Sequence, residues 1–481
     1  MYDVRVEKTP QAFPVTVDVL VIGGGAAGLT AAIAARQGGA EVMLLERDAH
    51  PAGSTAMSQG NVCAAGSAAQ RDAGVEDSAD RFYDDLMIKT RGTADPVMAR
   101  LVAEASGPTM DWLVEDLGIP YALERGWGGF FGHSVDRMHA LPSKTGREMS
   151  DRLQAAAARA GVDVVCGAHV RLLHADADGA VLGVTVARPD GREERIGCGA
   201  LVVATCGFGA NREMVSKWIP EFGNSERYRY FGHEGNDGAG IRWGMALGAA
   251  VGGMNAFQGL GSLAEPQSTL LNYNVVMEGG VQVNGRGERF SDELEDISGQ
   301  ALKVLAQPGG VAWSVWDEAR HATAADLPEY RELSALGGIR KADTVEALAA
   351  IIGADAEALR ATLETAADAA TGRAPCPFGR DFGGAAPLAP PYRTARVTGA
   401  LFHTQGGLQL DAQARVVRAD GTALPNFFAA GGTARGISGD GPSGYIPAAG
   451  LCTAVTLGRL AGARAAGVAL HADDLATRAE G

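Results

Sequence analysis

The stretch VDVLVIGGGAAGLTAAIAARQGGAEVMLLERD, Val17 to Asp48, decides how this chain is read. A short apolar run, Val19 to Ile22, meets Gly23, Gly25 and Gly28 in GxGxxG spacing; an Ala-rich helical stretch and a second apolar run closing on Glu46 come next. Strand, helix, strand and terminal acid in that order make a β-α-β unit shaped for a dinucleotide. Gly23 permits the tight turn, Gly25 lets the backbone approach a pyrophosphate, and Gly28 lets helix and strand pack closely. The helix N-terminus offers free N–H groups to the phosphates, and Glu46 stands where an acid accepts ribose hydroxyls.

Working outward, 481 residues exceed one compact core and predict two domains. Sixty-seven glycines and 46% hydrophobic content suit an α/β enzyme with many tight turns. The net charge of -15, without any basic run, argues against a nucleic-acid partner. Cys63, Cys166, Cys198, Cys206, Cys376 and Cys452 show neither a CxxC nor a His/Cys cluster, so no metal or iron–sulfur site is expected. Nothing in the sequence has the length and apolarity of a membrane span, and the N-terminus lacks a basic segment followed by an apolar run. The expectation is a soluble, cytoplasmic protein.

The residues after Glu46 separate FAD from NAD. Instead of further alternating strands and helices comes PAGSTAMSQGNVCAAGS, Pro51 to Ser67, a run of small and hydroxyl residues able to thread beside a bulky planar cofactor. Much later, ALPNFFAAGGTARGISGDGPSGYIPAAGLCTAVTLGRLAG, Ala423 to Gly462, reads as strand, glycine-rich loop and helix. Two such cradles at opposite ends of the chain suit one extended FAD.

Together with GALVVATCGFGANREMV (Gly199 to Val215), VNGRGERFSDE (Val283 to Glu293) and FHTQGGLQLD (Phe402 to Asp411), these segments resemble the fumarate reductase and 3-oxosteroid dehydrogenase flavoprotein superfamily, in the same order over nearly the whole chain. The resemblance implies an α/β fold: a Rossmann-like FAD-binding domain (1–252 and 396–481) interrupted by a smaller α+β cap, or substrate, domain (253–395), with substrate between cap and flavin. In the cap, Leu348, Ile351, Ile352, Leu359 and Leu363 mark an apolar helical face, and FGRDFGGAAPLAPPYRTARV reads as a Gly/Pro-rich return crossing to the FAD domain. The expected cofactor contacts are Gly23, Gly25, Ala26, Ala27, Gly28, Glu46, Arg47, Gly53, Ser54, Thr55, Ser58, Gly60, Val170, Ala204, Thr205, Gly207, Asp237, His403, Gly431, Gly432, Ala448 and Leu451. Ser54 stands where the quinone-linked members carry a flavin-bound histidine, so non-covalent FAD is expected.

The site chemistry within the superfamily turns on a few positions. ERFSDELEDIS keeps Arg289, Phe290 and Glu293 of the reductases' proton relay, but Asp296 falls where the relay arginine would be. Tyr445 replaces their carboxylate-clamping arginine, while His403 matches a histidine they keep by the substrate and Arg320 aligns loosely with their proton donor, or is an exposed helix arginine. A tyrosine in this loop is similar to the 3-oxosteroid dehydrogenases, where its hydroxyl and a following backbone N–H bind the substrate ketone. Tyr445 with Ala449 or Gly450 supplies that pair, and two donors at a carbonyl oxygen stabilise a developing enolate. Tyr273 is the expected base among the cap tyrosines Tyr273, Tyr330 and Tyr392, with His403 its competitor. Tyr121, Trp127, Phe130 and Phe131 form an expected pocket wall, and Arg125, Arg137 or Arg147 could meet a substrate carboxylate. The resulting expectation is FAD-dependent α,β-desaturation of a cyclic ketone, a small oxocyclohexane or a 3-oxosteroid, passing electrons to an external quinone, carrier or oxygen. The rivals are a reductase of activated alkenes, in the manner of fumarate or urocanate reductases, and a non-catalytic flavin carrier.

Overall fold

A computed structural model describes residues 3–6, 12–442 and 444–468. The chain forms two compact units, the first from the segments up to Ile219, Gly232–Phe257 and the chain from His403 on, the second from Pro220–Phe231 and Gln258–Phe402. No helix among the described residues is long and apolar enough to cross a membrane.

In the first unit, strand Val15–Ile22 lies parallel to Val42–Leu45 on one side and to Glu193–Val203 on the other. Its last four residues, Val19 to Ile22, are buried throughout, as a strand covered on both faces requires. Strand Glu193–Val203 divides its second edge, pairing Glu193–Gly197 with antiparallel Val181–Ala187 and Leu201–Val203 with parallel Ala423–Ala429. The late strand of the chain is thereby seated beside the early ones.

The glycines of the motif act as their spacing predicts. Gly23 has φ +107°, and a Cβ there would lie 2.4 Å from the Ala204 carbonyl oxygen. A Cβ on Gly28 would fall 1.8 Å from the Gly23 carbonyl oxygen, so helix Ala26–Gln37 leaves its strand only because that position is bare. Helix Ala449–Ala465 packs on this first helix in the same manner. A Cβ on Gly458 would lie 2.4 Å from the Ala27 carbonyl oxygen, and one on Gly462 would lie 2.0 Å from that of Ala31.

In the second unit the strands run Phe257–Ala264, Tyr392–Thr404, Val311–Asp317 and Val281–Val283 in sheet order, with Arg340–Ala342 also along Tyr392–Thr404. The apolar stretch from Asp343 to Ala370 is two helices, Val345–Ile352 and Ala356–Ala370, broken at Gly353 (φ +83°) and restarted by the Asp355 cap. Leu348, Ile352, Leu359 and Leu363 join the core with Val281, Trp313 and Val315, whereas Ile351 is only partly buried.

The units divide differently from the expected cap of 253–395. Strand Tyr392–Thr404 pairs from Tyr392↔Asp317 to Thr398↔Val311, so a boundary at 395 would cut a continuous ladder. Pro220–Phe231 joins this unit because Phe231 N donates to Leu401 O (2.8 Å), Leu401 N donates to Arg229 O (2.9 Å), and the Phe231 and Phe402 rings stack 5.0 Å apart. The segment read as a return crossing is likewise part of the second unit: its Arg380 is buried there and its YRTARV end is sheet.

Gly462→Val should force two helix backbones apart, because the inserted carbon meets a main-chain oxygen rather than a flexible side chain. We expect a loss of about 2 kcal/mol or more in unfolding free energy, measured by chemical denaturation, with the mutant recovering little of it through repacking.

Candidate active site

Glu46 ends its strand with both carboxylate oxygens engaged. Oε2 accepts from Gly24 N at 2.7 Å and Oε1 from Asp48 N at 2.8 Å, which aims the carboxylate at the mouth of the glycine turn. Thr55, from the short turn Gly53–Ala56, accepts the Ala26 N–H through Oγ1 at 2.9 Å. The small-residue segment thus lies directly over the first helix N-terminus, where Gly25 offers no side-chain cap of its own. Ser54 Oγ accepts from Asn236 Nδ2 at 2.7 Å, Ser58 Oγ donates to Thr55 O at 2.7 Å, and Arg47 pairs with Asp48 at 3.1 Å while lying against Gly235.

A second group of expected residues joins the same unit. Thr205 Oγ1 accepts from Gly240 N (3.2 Å) and meets Thr433 Oγ1 (3.3 Å), and Asp237 accepts from Ala239 N (2.9 Å). Gly207 and Gly432 are pinned between chains: a Cβ on Gly207 would sit 2.0 Å from Thr404 Oγ1, and one on Gly432 would sit 2.8 Å from Gly207 N. Gly431 has φ +60° and faces Ala27. Val170 is different: its side chain is buried in strand His169–Ala175, so only its main chain can serve a ligand. Asn61 Oδ1, in the small-residue segment, is buried with no hydrogen-bond partner in the protein. An orphaned polar atom among bare glycine turns fits a large polar ligand such as FAD.

Tyr445 is buried just ahead of helix Ala449–Ala465, whose first turn is entered through Ala448 at φ +65°. Burial, with Cys63 alongside, pushes its phenol up, while the Ala448 and Gly450 amides act the other way. The phenol therefore keeps its proton at ordinary pH, with the Ala448 and Gly450 amides turned toward its own oxygen. His133 holds this loop: Nε2 donates to the Pro447 carbonyl at 3.0 Å, and Nδ1 is buried without a partner. Sequence reasoning singled out Tyr121, Trp127, Phe130 and Phe131 in this stretch but not His133, because its partner is far along the chain.

The expected aromatic wall is divided. Tyr121 is buried and its hydroxyl donates to Gly60 O at 3.0 Å, so it props the cofactor turn instead of facing a substrate. Phe131 is buried at φ +51°, with Phe130 6.3 Å away, while Trp127 is half-buried in a turn gathered by Asp136, which accepts from Gly126, Trp127 and Gly128 N–H at 2.8–2.9 Å. Of the candidate carboxylate-binding arginines, Arg137 is fully buried and neutralised by Asp77 (2.8 Å) and Asp85 (2.6 Å). Arg125 is exposed and donates to Ala73 O, and Arg147 is exposed at the start of helix Gly146–Ala160.

In the second unit, the expected base is corrected. Tyr273 donates its hydroxyl proton to Glu293 O at 2.7 Å, and burial together with the Glu293 charge pushes its phenol well above the usual range. A phenol so placed keeps its proton. Glu293 accepts from Arg289 (2.6 Å) and from Arg380 (2.8 Å); burial opposes its charge, but the two arginines hold the carboxyl below the usual range. Arg380, which no sequence motif pointed to, also donates to Gly280 O and Val276 O and stacks over Phe382 at 4.3 Å. Arg320 is neither exposed nor free: it is buried against Asp317 (2.7 Å) and the carbonyls of Glu278 and Ala386. Tyr330 bonds Trp316 and His321, which leaves it a structural role, and Tyr392 takes its place in the sheet opposite Asp317.

With this geometry in place, comparison with known proteins is specific. The family model described as FAD binding domain matches residues 18–445. A probable fumarate reductase of Shewanella frigidimarina (strain NCIMB 400) is 29% identical over 474 residues, 97% of this chain and 78% of that protein. The 4-oxocyclohexanecarboxylate 2-dehydrogenase of Sinomonas cyclohexanicum is 28% identical over 563 aligned positions, 96% of this chain and 95% of that one. The solved 3-ketosteroid Δ4-(5α)-dehydrogenase from Rhodococcus jostii RHA1, in complex with 4-androstene-3,17-dione, aligns with a TM-score of 0.75 at 25% identity over 96% of this chain and 99% of that one.

Two outcomes check the site. Glu46→Ala should weaken FAD retention by about one to two decades, since a hydrogen bond to a charged group contributes about 1.5–3 kcal/mol; titration of the flavin-free mutant with FAD reads this directly. The second concerns pH. Burial, and after it Arg137, lower the His133 imidazole to about 4, below its ordinary 6.5. Its contribution is complete above pH 6.5 and is lost as pH falls toward 4, because the unfolded chain takes up the proton first. His133→Gln should flatten the fall of unfolding free energy across that window by up to about 1.4 kcal/mol per pH unit, the slope due to one proton.

Proposed function

This chain belongs to the FAD binding domain family, and from that premise we propose that it desaturates a cyclic ketone, introducing a carbon–carbon double bond α,β to the carbonyl. FAD is the cofactor, and relatives of the chain act on CH–CH bonds both as dehydrogenases and as reductases. The observation that carries the finer reading is the buried, neutral Tyr445 phenol just ahead of helix Ala449–Ala465, with the Ala448 and Gly450 amides turned toward its oxygen. A ketone oxygen received there would meet a preorganised hydroxyl, strengthened by the amides on its own oxygen, beside the positive end of a helix. That donor lowers the cost of removing the α-proton, because charge then gathers on the ketone oxygen. When bound, FAD supplies the acceptor for the β-hydride. His133 keeps the Tyr445 loop in place by holding Pro447, and its neutral ring adds no charge to the loop. An external acceptor then takes the electrons, and the Ser54 environment supports FAD held without a covalent bond.

The competing reading is reduction of an activated alkene, and the relatives described as fumarate reductases favour it. A carboxylate substrate needs cationic partners, however, and Arg137, one of the arginines the sequence offered for that task, is already neutralised by two aspartates. Tyr445 then decides between the two. Tyr445→Phe should keep fold and FAD binding but slow anaerobic flavin reduction by the best cyclic ketone by about 10² to 10³, the usual cost of one such donor. Stopped-flow reduction at wild-type speed would remove Tyr445 from the chemistry and favour the reductase reading, since arginines, not a phenol, would grip that substrate.

A further inference from the structure

Cys206 lies between two expected cofactor contacts, Thr205 and Gly207, and takes a backbone conformation, φ +62°, that residues with a side chain rarely adopt. Its sulfur stands 3.4 Å from His403 Nε2, and its carbonyl accepts from Thr433 Oγ1 at 3.0 Å. His403 is fixed on its other side. Gln405 donates through Nε2 to His403 Nδ1 at 2.9 Å, and the Gln405 Oε1 takes the Ser438 hydroxyl at 3.3 Å. With Nδ1 accepting a bond, the ring proton belongs on Nε2, the nitrogen facing the sulfur. The imidazole also packs against the glycine turn, where a Cβ on Gly432 would lie 2.9 Å from His403 Cε1. Thiol and imidazole are therefore held together on the floor of the cradle, both partly open to solvent.

We propose that Cys206 and His403 form a nucleophilic pair in the flavin cradle, reactive toward soft electrophiles in the flavin-free chain and covered once FAD is bound. The inference rests on the cradle assigned above and not on the identity of the substrate. Three groups act on the sulfur: His403 from strand Tyr392–Thr404, Ser54 from the turn Gly53–Ala56, and the Gly207 amide. Burial alone would push the thiol up, but these groups together bring it below its usual value, and the sulfur in turn raises His403. Cys166, also partly exposed, goes the other way, pushed up by burial and by Glu46. A thiolate is the nucleophile, so the two cysteines should differ in rate. With an alkene such as a maleimide, the sulfur adds to one alkene carbon, the π bond breaks, and the other carbon takes a proton from water.

The test is site-resolved labelling of the full-length chain with N-ethylmaleimide, followed by peptide mapping, with and without saturating FAD. Each pH unit of lowering raises the thiolate fraction at neutral pH about tenfold. We expect Cys206 to label about tenfold or more faster than Cys166 at pH 7, FAD to suppress that labelling while leaving Cys376 unaffected, and His403→Gln to move the Cys206 rate profile to higher pH. Labelling of Cys206 at the pace of Cys166, or an unchanged profile in the His403 variant, would overturn the pair. Undiminished labelling under saturating FAD would overturn its place in the cradle, even where ketone reduction of the flavin proceeds. The wild-type comparison stands if the His403 variant does not fold.

Discussion

Two helices that touch backbone to backbone organise the first unit. Ala26–Gln37 and Ala449–Ala465 come from opposite ends of the chain, and bare positions at Gly458 and Gly462 let them meet at the carbonyls of Ala27 and Ala31. The same economy recurs in the turns beside them, where Gly23, Gly28, Gly207 and Gly432 leave no room for a side chain. Close approach of this kind gains dispersion contacts and brings amide groups near enough to serve a ligand that neither end of the chain could hold alone. The contact joins the segment that carries Glu46 to the segment that carries Tyr445.

Charge is handled as strictly as space. Arg137, Arg289, Arg380 and Arg320 are buried, and each faces a carboxylate of its own unit. A buried charge without a partner is costly, and removing one member of such a pair costs more than the pair contributes. These arginines are accordingly part of the scaffold. Tyr445, by contrast, is buried and neutral, and no carboxylate among the described residues pairs with it.

Much of this was legible in the sequence where the cause is local. The turn at Gly23, the close packing at Gly28 and the helix after the late glycine loop were visible in the sequence because turn geometry and helix starts are dictated by neighbouring residues. The family resemblance and FAD read correctly for the same reason, since several such motifs recur in order. The features that failed to show were set by distant partners. Tyr273 looked available until Glu293 O and the surrounding burial claimed its proton. Arg320 reads from the sequence as a loose match to a proton donor or as an exposed helix arginine, and Asp317 with two carbonyls removes the exposed reading. Arg380 and His133 carried no motif at all, because the groups they hold lie far away along the chain. The division of the units escaped for a related reason: a Gly/Pro-rich segment ended in a long strand that belongs to the sheet before it.

The helix contact also acts as a ruler. Because Ala27 meets Gly458 and Ala31 meets Gly462, the two helices run parallel, and the second begins nine residues ahead of its crossing with the start of the first. At 1.5 Å per residue that lead is about 13 Å. The start of the first helix and the tyrosine-bearing loop are thus held at a set separation by the packed second helix. A ligand that occupies both must be long and extended, and one helical turn added or removed ahead of Gly458 would shift the loop by about 5 Å while leaving the dinucleotide motif untouched. A contact made at Gly458 and Gly462 thereby fixes a distance between two loops.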